Sequence, residues 1–226
     1  MAKSPPDGGS LARAHGADPG LPRGRTPLPA DRRNAAHRER LVRAVIASAA
    51  ELGCHGMTVA DVVRRARVSR NVFYEHFTDK ETAFLTALDE GGKQLFTCIS
   101  AGTHGTDPMD RLRSALRAYL GFLAGEPEFA RCFLIELFPC GPAAREQLHL
   151  ARARFAAGIG RWHQSARRAQ PDWPPVPKEI YRALVGAMHE LVVAYVRENR
   201  VAHLPELEDT AVRLYLAVLR EWPTRE

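Results

Sequence analysis

The stretch from Thr58 to Lys80, TVADVVRRARVSRNVFYEHFTDK, constrains this chain more than any other. Thr58 followed by Asp61 has the spacing of a capping box, in which hydroxyl and carboxylate take up the free N–H groups of a helix start. Val59, Val62, Val63 and Ala66 then recur at i, i+3, i+4 and i+7, the apolar stripe of a short helix. Arg67 and Val68 interrupt the stripe, and Ser69 stands where it can cap a second helix of about two turns. That helix turns Phe73 and Phe77 inward and leaves Arg70, Asn71, Tyr74 and His76 on its outer side. Thr78-Asp79-Lys80-Glu81 opens a third helix with the same spacing. Two short helices joined by a tight turn, the second presenting polar groups outward, read as a helix-turn-helix with its recognition helix.

The outward groups suit duplex DNA. Arg70 can donate bidentately to guanine O6 and N7, and Asn71 can pair with adenine N6 and N7. Val72 offers a methyl contact and no hydrogen bond. Tyr74 and His76 can reach phosphate or a thymine methyl, while Thr58, Ser69 and Lys80 sit at helix N-termini that favour phosphate. His76 reads equally well as a partly buried structural residue. Charge agrees with the motif: residues 1–80 hold 14 Lys and Arg against 8 Asp and Glu, while residues 81–226 hold 18 of each. The excess is confined to the segment carrying the motif, and it attracts phosphate independently of sequence and in a salt-sensitive way.

Phe73-Tyr74-Glu75-His76-Phe77, followed by Lys80 and preceded by Thr58-Val59-Ala60-Asp61-Val62, resembles the DNA-binding domain of TetR-family regulators (the tetracycline-repressor family). The resemblance runs from about Leu41 to Leu88. It implies a helical ligand-binding domain after the head and a four-helix dimer interface made by the last two helices. It also implies phosphate contacts at Thr58, Tyr74, His76 and Lys80, with bases facing Ser69, Arg70, Asn71 and Val72. Arg67 departs from the family, which usually has Gly there. If the turn requires φ > 0, Arg costs on the order of 1 kcal/mol, so either the turn relaxes or Arg67 reaches a phosphate.

Elsewhere the pattern is helical and nothing alternates at period two for long. The first thirty residues carry six prolines and read as a disordered tail, in which Arg23 and Arg25, with Arg32 and Arg33 just beyond, form either a minor-groove arm or a solvated basic segment. Asp31 to Leu52 is a first helix, stopped by Gly53 and Gly56 and carrying Arg38, Arg40 and Arg43 as further phosphate candidates. The helix from Lys80 has Gly91-Gly92 as a weak point. Further helices span 108–123, 129–138, 143–169, 178–200 and 207–222, broken by the proline-rich loop 171–177. The last two are apolar over more than a ~100° stripe, so each should be buried on two sides, one against its own core and one against a partner subunit or, alternatively, deep within a monomeric bundle.

Cys54, Cys98, Cys132 and Cys140 show no zinc-ligand spacing. They are expected as reduced core thiols of a cytoplasmic protein, with a Cys132–Cys140 thiol switch as the alternative. No leader segment, spanning helix, metal site or cofactor motif is expected. Hydrolase and nucleotide-binding motifs are absent, and His149, His163, His189 and His203 are scattered, so no enzyme is expected. Phe96, Phe122, Phe133, Phe155, Trp162, Tyr181, Met188 and His189 are candidates to line an effector pocket, with plain core packing as the competing role.

These observations predict an all-α protein with a tail (1–30), a three-helix helix-turn-helix head (31–80) and an effector-binding and dimerisation domain (81–226). The function they point to is a homodimeric repressor, released from a palindromic operator by a small hydrophobic effector. Its two recognition helices would lie about 34–36 Å apart on double-stranded DNA. A constitutive architectural DNA-binding protein is the second reading, and an all-helical enzyme a remote third.

Overall fold

The computed structural model describes Ser10–Ala12 and Pro29–Pro223. These residues form nine α-helices: α1 (Ala30–Gly56), α2 (Val59–Ala66), α3 (Arg70–His76), α4 (Lys80–Gly102), α5 (Pro108–Gly125), α6 (Pro127–Arg131), α7 (Pro142–Ala169), α8 (Lys178–Arg197) and α9 (Glu208–Leu219). A π-helical turn, Cys132–Glu136, extends α6, and a 3-10 segment, Val201–Leu207, precedes α9. No strand occurs among the described residues. The chain divides into two compact units, residues 1–91 with 126–145, and residues 92–125 with 146–226.

In the first unit α1 supplies the central wall. Leu41, Val45, Ile46 and Ala49 are fully buried along one face, at about 1.5–3 kcal/mol for each large side chain removed from water. Gly53, at φ 74, breaks α1 where the sequence places the stop, and one further turn, Cys54–Gly56, leads to α2. The helix-turn-helix packs on α1 through Val62, Phe73 and Phe77. On the same wall lie α6 and the π-turn, where the buried Cys132 thiol donates to Ile46 O at 3.4 Å.

Four sequence expectations change here. Gly91, in the middle of the continuous α4 and expected only as a weak point, has a packing reason as well: a Cβ there would stand 2.3 Å from the Phe129 ring, so glycine allows a close approach of helix to ring. Ser10–Ala12 is a turn rather than loose tail, with Leu11 and Ala12 buried and the Glu126 carboxylate accepting from Ser10 N–H, Ser10 Oγ–H and Leu11 N–H. Arg32 and Arg33 belong to the first turns of α1 and not to an extended arm, whereas Arg23, Arg25 and the rest of the tail lie outside the described residues. Finally, the four thiols are not all free: Cys54 is bonded to Cys140, and Cys132 keeps its thiol.

The second unit is held by burial along long helices. Leu112, Leu116, Leu120 and Leu123 of α5 face Val212, Tyr215 and Leu219 of α9. Arg113 and Arg117 of α5 donate to Glu208 at the start of α9, at 3.2 and 2.8 Å, and Arg113 also reaches Asp209 at 2.6 Å. The indole N–H of Trp162 donates to Pro108 O at 2.7 Å. Gly160 of α7 lets Tyr181 of α8 approach, and His163 Nδ1 lies 3.0 Å from the Tyr181 hydroxyl beside buried Trp173. No helix of the described residues is long and apolar enough to cross a membrane.

Candidate nucleic-acid interface

The interface is built by caps. Thr58 accepts from Asp61 N–H at 3.2 Å while the Asp61 carboxylate accepts from Thr58 N–H at 3.1 Å and from its hydroxyl at 2.6 Å, closing the reciprocal box that starts α2. These hydrogen bonds, the Thr58 hydroxyl's first, hold the Asp61 carboxyl below its ordinary range. At the other end Arg67 takes φ 55, ψ 44. Its N–H bonds Arg64 O at 3.3 Å and Val68 N–H bonds Val63 O at 3.1 Å, the paired closure of a left-handed helix end. The turn therefore does not relax, and Arg occupies a conformation that glycine adopts without cost.

Ser69 Oγ then accepts from Val72 N–H at 3.3 Å and starts α3. Phe73 is completely buried, with Tyr74 set edge-on to it at 5.4 Å. With Phe73 and Phe77 anchored, Arg70, Asn71 and Tyr74 are carried outward; Tyr74 is 56% exposed, so its hydroxyl and ring face solvent from a fixed base. Val72 is half-buried between them. Arg70, Asn71 and Tyr74 share the outward side of one short, capped helix, with Val72 at its flank.

Two predicted contacts are placed differently. Lys80 Nζ donates to His55 O at 2.7 Å and Met57 O at 2.8 Å, tying the α1–α2 corner to the start of α4. His76 is half-buried, with Nε2 enclosed and without a hydrogen-bond partner and its ring 6.4 Å from that of neighbouring Phe77. Part of the positive charge is also paired: Arg38 with Glu90, Arg43 with Glu39, Arg64 with Asp61 and Arg65 with Glu51. Burial, then the nearby Arg40, pushes the His37 imidazole below its ordinary value.

The effector candidates separate. Phe133 stacks on Phe129 at 5.4 Å in the first unit. Phe96, Phe122, Phe155, Trp162, Tyr181, Met188 and His189 all lie in the second. Within it Phe96 meets Phe155 at 4.6 Å and Tyr119 joins Phe155 edge-on at 5.6 Å. An open groove of about 490 Å³ is lined by Lys93, Phe96, Thr97, Ser100, Ala101 and Arg154, with the Arg154 guanidinium 4.4 Å from the Phe96 ring centre. Of the aromatic candidates only Phe96 lines it. Lys93 and Arg154 went unpredicted because their positions on helical faces carry no spacing signal.

Residues 41–86 match the family model described as bacterial regulatory proteins, tetR family. The chain carries a TetR-family head. This is a DNA-binding head, and the capped α2–α3 pair just described is its helix-turn-helix. Solved structures share the fold over about four-fifths of the chain. The fatty acid degradation regulator FadR from Bacillus halodurans is 18% identical, with a TM-score of 0.73 over 81% of this chain and 96% of its own. FadR from Bacillus subtilis, in complex with stearoyl-CoA, is 15% identical, with a TM-score of 0.69 over 79% and 97%. A TetR regulator from Chloroflexus aurantiacus is 22% identical, with a TM-score of 0.65 over 83% and 98%. No curated protein matches the chain by sequence.

Proposed function

We propose that the protein is a non-enzymatic, ligand-controlled transcriptional repressor that binds a palindromic operator as a homodimer. The carrying observation is α3: a capped helix whose buried Phe73 sets the direction in which Arg70, Asn71 and Tyr74 point. Arg70 and Asn71 supply base-edge recognition and Tyr74 a backbone contact.

Dimerisation through α8 and α9 is supported by what they leave uncovered. Ala183, Gly186 and Ala194 are exposed along α8, with Leu191 half-buried beside them, and Ala217 is exposed between half-buried Leu214 and Val218 on α9. Small residues in that arrangement let helices of a second copy approach closely. The open groove in the second unit supports an effector with an apolar part for Phe96 and an anionic group for Arg154 and Lys93. The stearoyl-CoA held by one structural neighbour has both features.

Selection from a random duplex library tests the reading. A defined, two-fold symmetric site should emerge, bound by a dimer on light scattering, with affinity falling steeply with salt. Arg70→Ala should cost about 1–3 kcal/mol and relax the base preference at one position of each half-site, whereas Tyr74→Phe should weaken all sequences alike. Recovery of no preferred duplex overturns the proposal, and a preferred duplex whose binding no acyl or aryl anion alters favours the architectural reading.

A further inference from the structure

The corner between α1 and α2 is where the head is fastened to the rest of its own unit. Gly53 turns the chain at positive φ, Met57 N–H closes back on Gly53 O at 3.0 Å, and Thr58 at once caps α2. Across this corner runs the segment that follows α6. Glu136 accepts from Cys54 N–H at 3.4 Å, His55 Nε2 lies 3.2 Å from Pro139 O, and Cys54 is bonded to Cys140 across a sequence separation of 86 residues. The hydrogen bond is long and the histidine contact is exposed, so the covalent bond is the firm link between segment and corner.

We propose that the Cys54–Cys140 bond is a reversible thiol–disulfide switch that sets how tightly the helix-turn-helix holds DNA. The proposal rests on the regulator reading above. A protein that works on genomic DNA works in a thiol-reducing compartment, where a disulfide is generally transient and redox-sensing rather than a permanent staple. The Cα atoms stand 6.1 Å apart, within the span a disulfide bridges without backbone movement, so the pair can close and open in place. Cys54 and Cys140 are only 6% and 7% exposed, but Cys140 is followed by Gly141 at positive φ and preceded by exposed Phe138 and Pro139, so the bond lies in a short surface segment. The other two cysteines do not compete: Cys132 is buried on Ile46 O, and Cys98 belongs to the second unit.

The chemistry is exchange with a low-molecular-weight disulfide, RSSR. One cysteine thiolate attacks a sulfur of RSSR and expels RS⁻, giving a mixed disulfide; the second thiolate attacks the cysteine sulfur of that bond and expels the second RS⁻. Two cysteine thiols are oxidised, RSSR is reduced to two RSH, and the two cysteine protons end on the leaving thiolates. A cellular dithiol runs the sequence backwards. Closed, the bond holds the Cys54–Met57 corner, and through it the start of α2, in the arrangement described; opened, the corner is free to fluctuate and must be ordered again on binding DNA.

The experiment uses the full-length protein and the duplex recovered from the random library. Affinity is measured after equilibration in oxidised glutathione and in dithiothreitol, with free thiols counted by alkylation and mass spectrometry. Two thiols should disappear on oxidation, mapped to Cys54 and Cys140, and reduction should weaken binding by about tenfold, within the usual range of coupling between a regulatory and a binding site. Cys140→Ser and Cys54→Ser should show the reduced affinity under both conditions, while Cys132→Ser and Cys98→Ser keep the response. Circular dichroism checks that each variant is folded, and the wild-type comparison stands without them. Equal affinity in the two states, tighter binding by the reduced form, or thiols at 54 and 140 that stay free in oxidised glutathione each overturn the switch while leaving the regulator reading intact. No duplex bound in either state overturns both.

Discussion

The two units are made of the same element and specified in opposite ways. In the first, the two helices of the helix-turn-helix are 8 and 7 residues long, too short to persist alone, and each is fastened by a side-chain cap and a buried anchor. In the second, helices of 18, 28 and 20 residues are held by burial along their length, and neither α8 nor α9 has a side-chain cap at its start. A short element must be written locally, residue by residue. A long one needs only a stripe.

Removing an anchor is the severest way to break that contrast. Phe73→Ala should cost about 3–5 kcal/mol in urea unfolding, because the ring is wholly buried and two caps cannot replace its packing. Hydrogen exchange should show the loss concentrated in α2 and α3. If those amides stay protected, the anchor is not what holds α3. One step smaller, Thr58→Ala should cost about 1 kcal/mol, since both arms of the capping box end on that residue. A cost near zero would mean that packing, not capping, starts α2.

This division explains what was legible in the sequence. Thr58, Asp61, Ser69, Phe73 and Phe77 announce their roles through neighbours three or four residues away, so the helix-turn-helix and its outward face follow from the string alone. The role of Lys80 does not, because its partners are carbonyls at positions 55 and 57 on another element. Cys140 is likewise silent: nothing within ten residues marks it as the partner of Cys54. The packing reason for Gly91 is silent too, because Phe129, the ring that requires it, is 38 positions further on. The aromatic candidates for an effector pocket carry helical spacing and no more, so nothing in the string separates Phe133 from the side chains of the other unit.

The two left-handed helix ends sharpen the contrast further. Arg67 closes α2 at φ 55, and Asn199 closes α8 at φ 56 with Arg200 N–H returning to Tyr195 O at 2.8 Å. Asparagine adopts this conformation at little cost and arginine at a larger one. Arg67→Gly should therefore stabilise the protein by about 1 kcal/mol, while Asn199→Gly should change little. Thermal melting of the two variants side by side decides it. If Arg67→Gly is stabilising yet weakens binding to every duplex, Arg67 was retained for phosphate; if binding is unchanged, the strain serves nothing on DNA.

The smallest effect concerns acid and falls mainly on the second unit. Burial, then Arg167, pushes the His163 imidazole below its ordinary 6.5, and burial, then Arg152, does the same to His189. A histidine whose folded value is lowered must shed a proton to fold, so stability is full above pH 6.5 and is lost as pH falls from there through the folded value. The carboxylates act in a separate window. Glu208 is held low by its hydrogen bond from Arg117, and its stabilisation begins to fade only once pH falls to the ordinary glutamate value of 4.5. Between those two limits the melting temperature should decline with acid through the histidines. His163→Gln keeps a partner for the Tyr181 hydroxyl, at 3.0 Å in the native chain, and should flatten that decline while leaving the parts due to His189 and His37. An unchanged slope in His163→Gln would show that the site accepts the imidazolium, against the burial that encloses it.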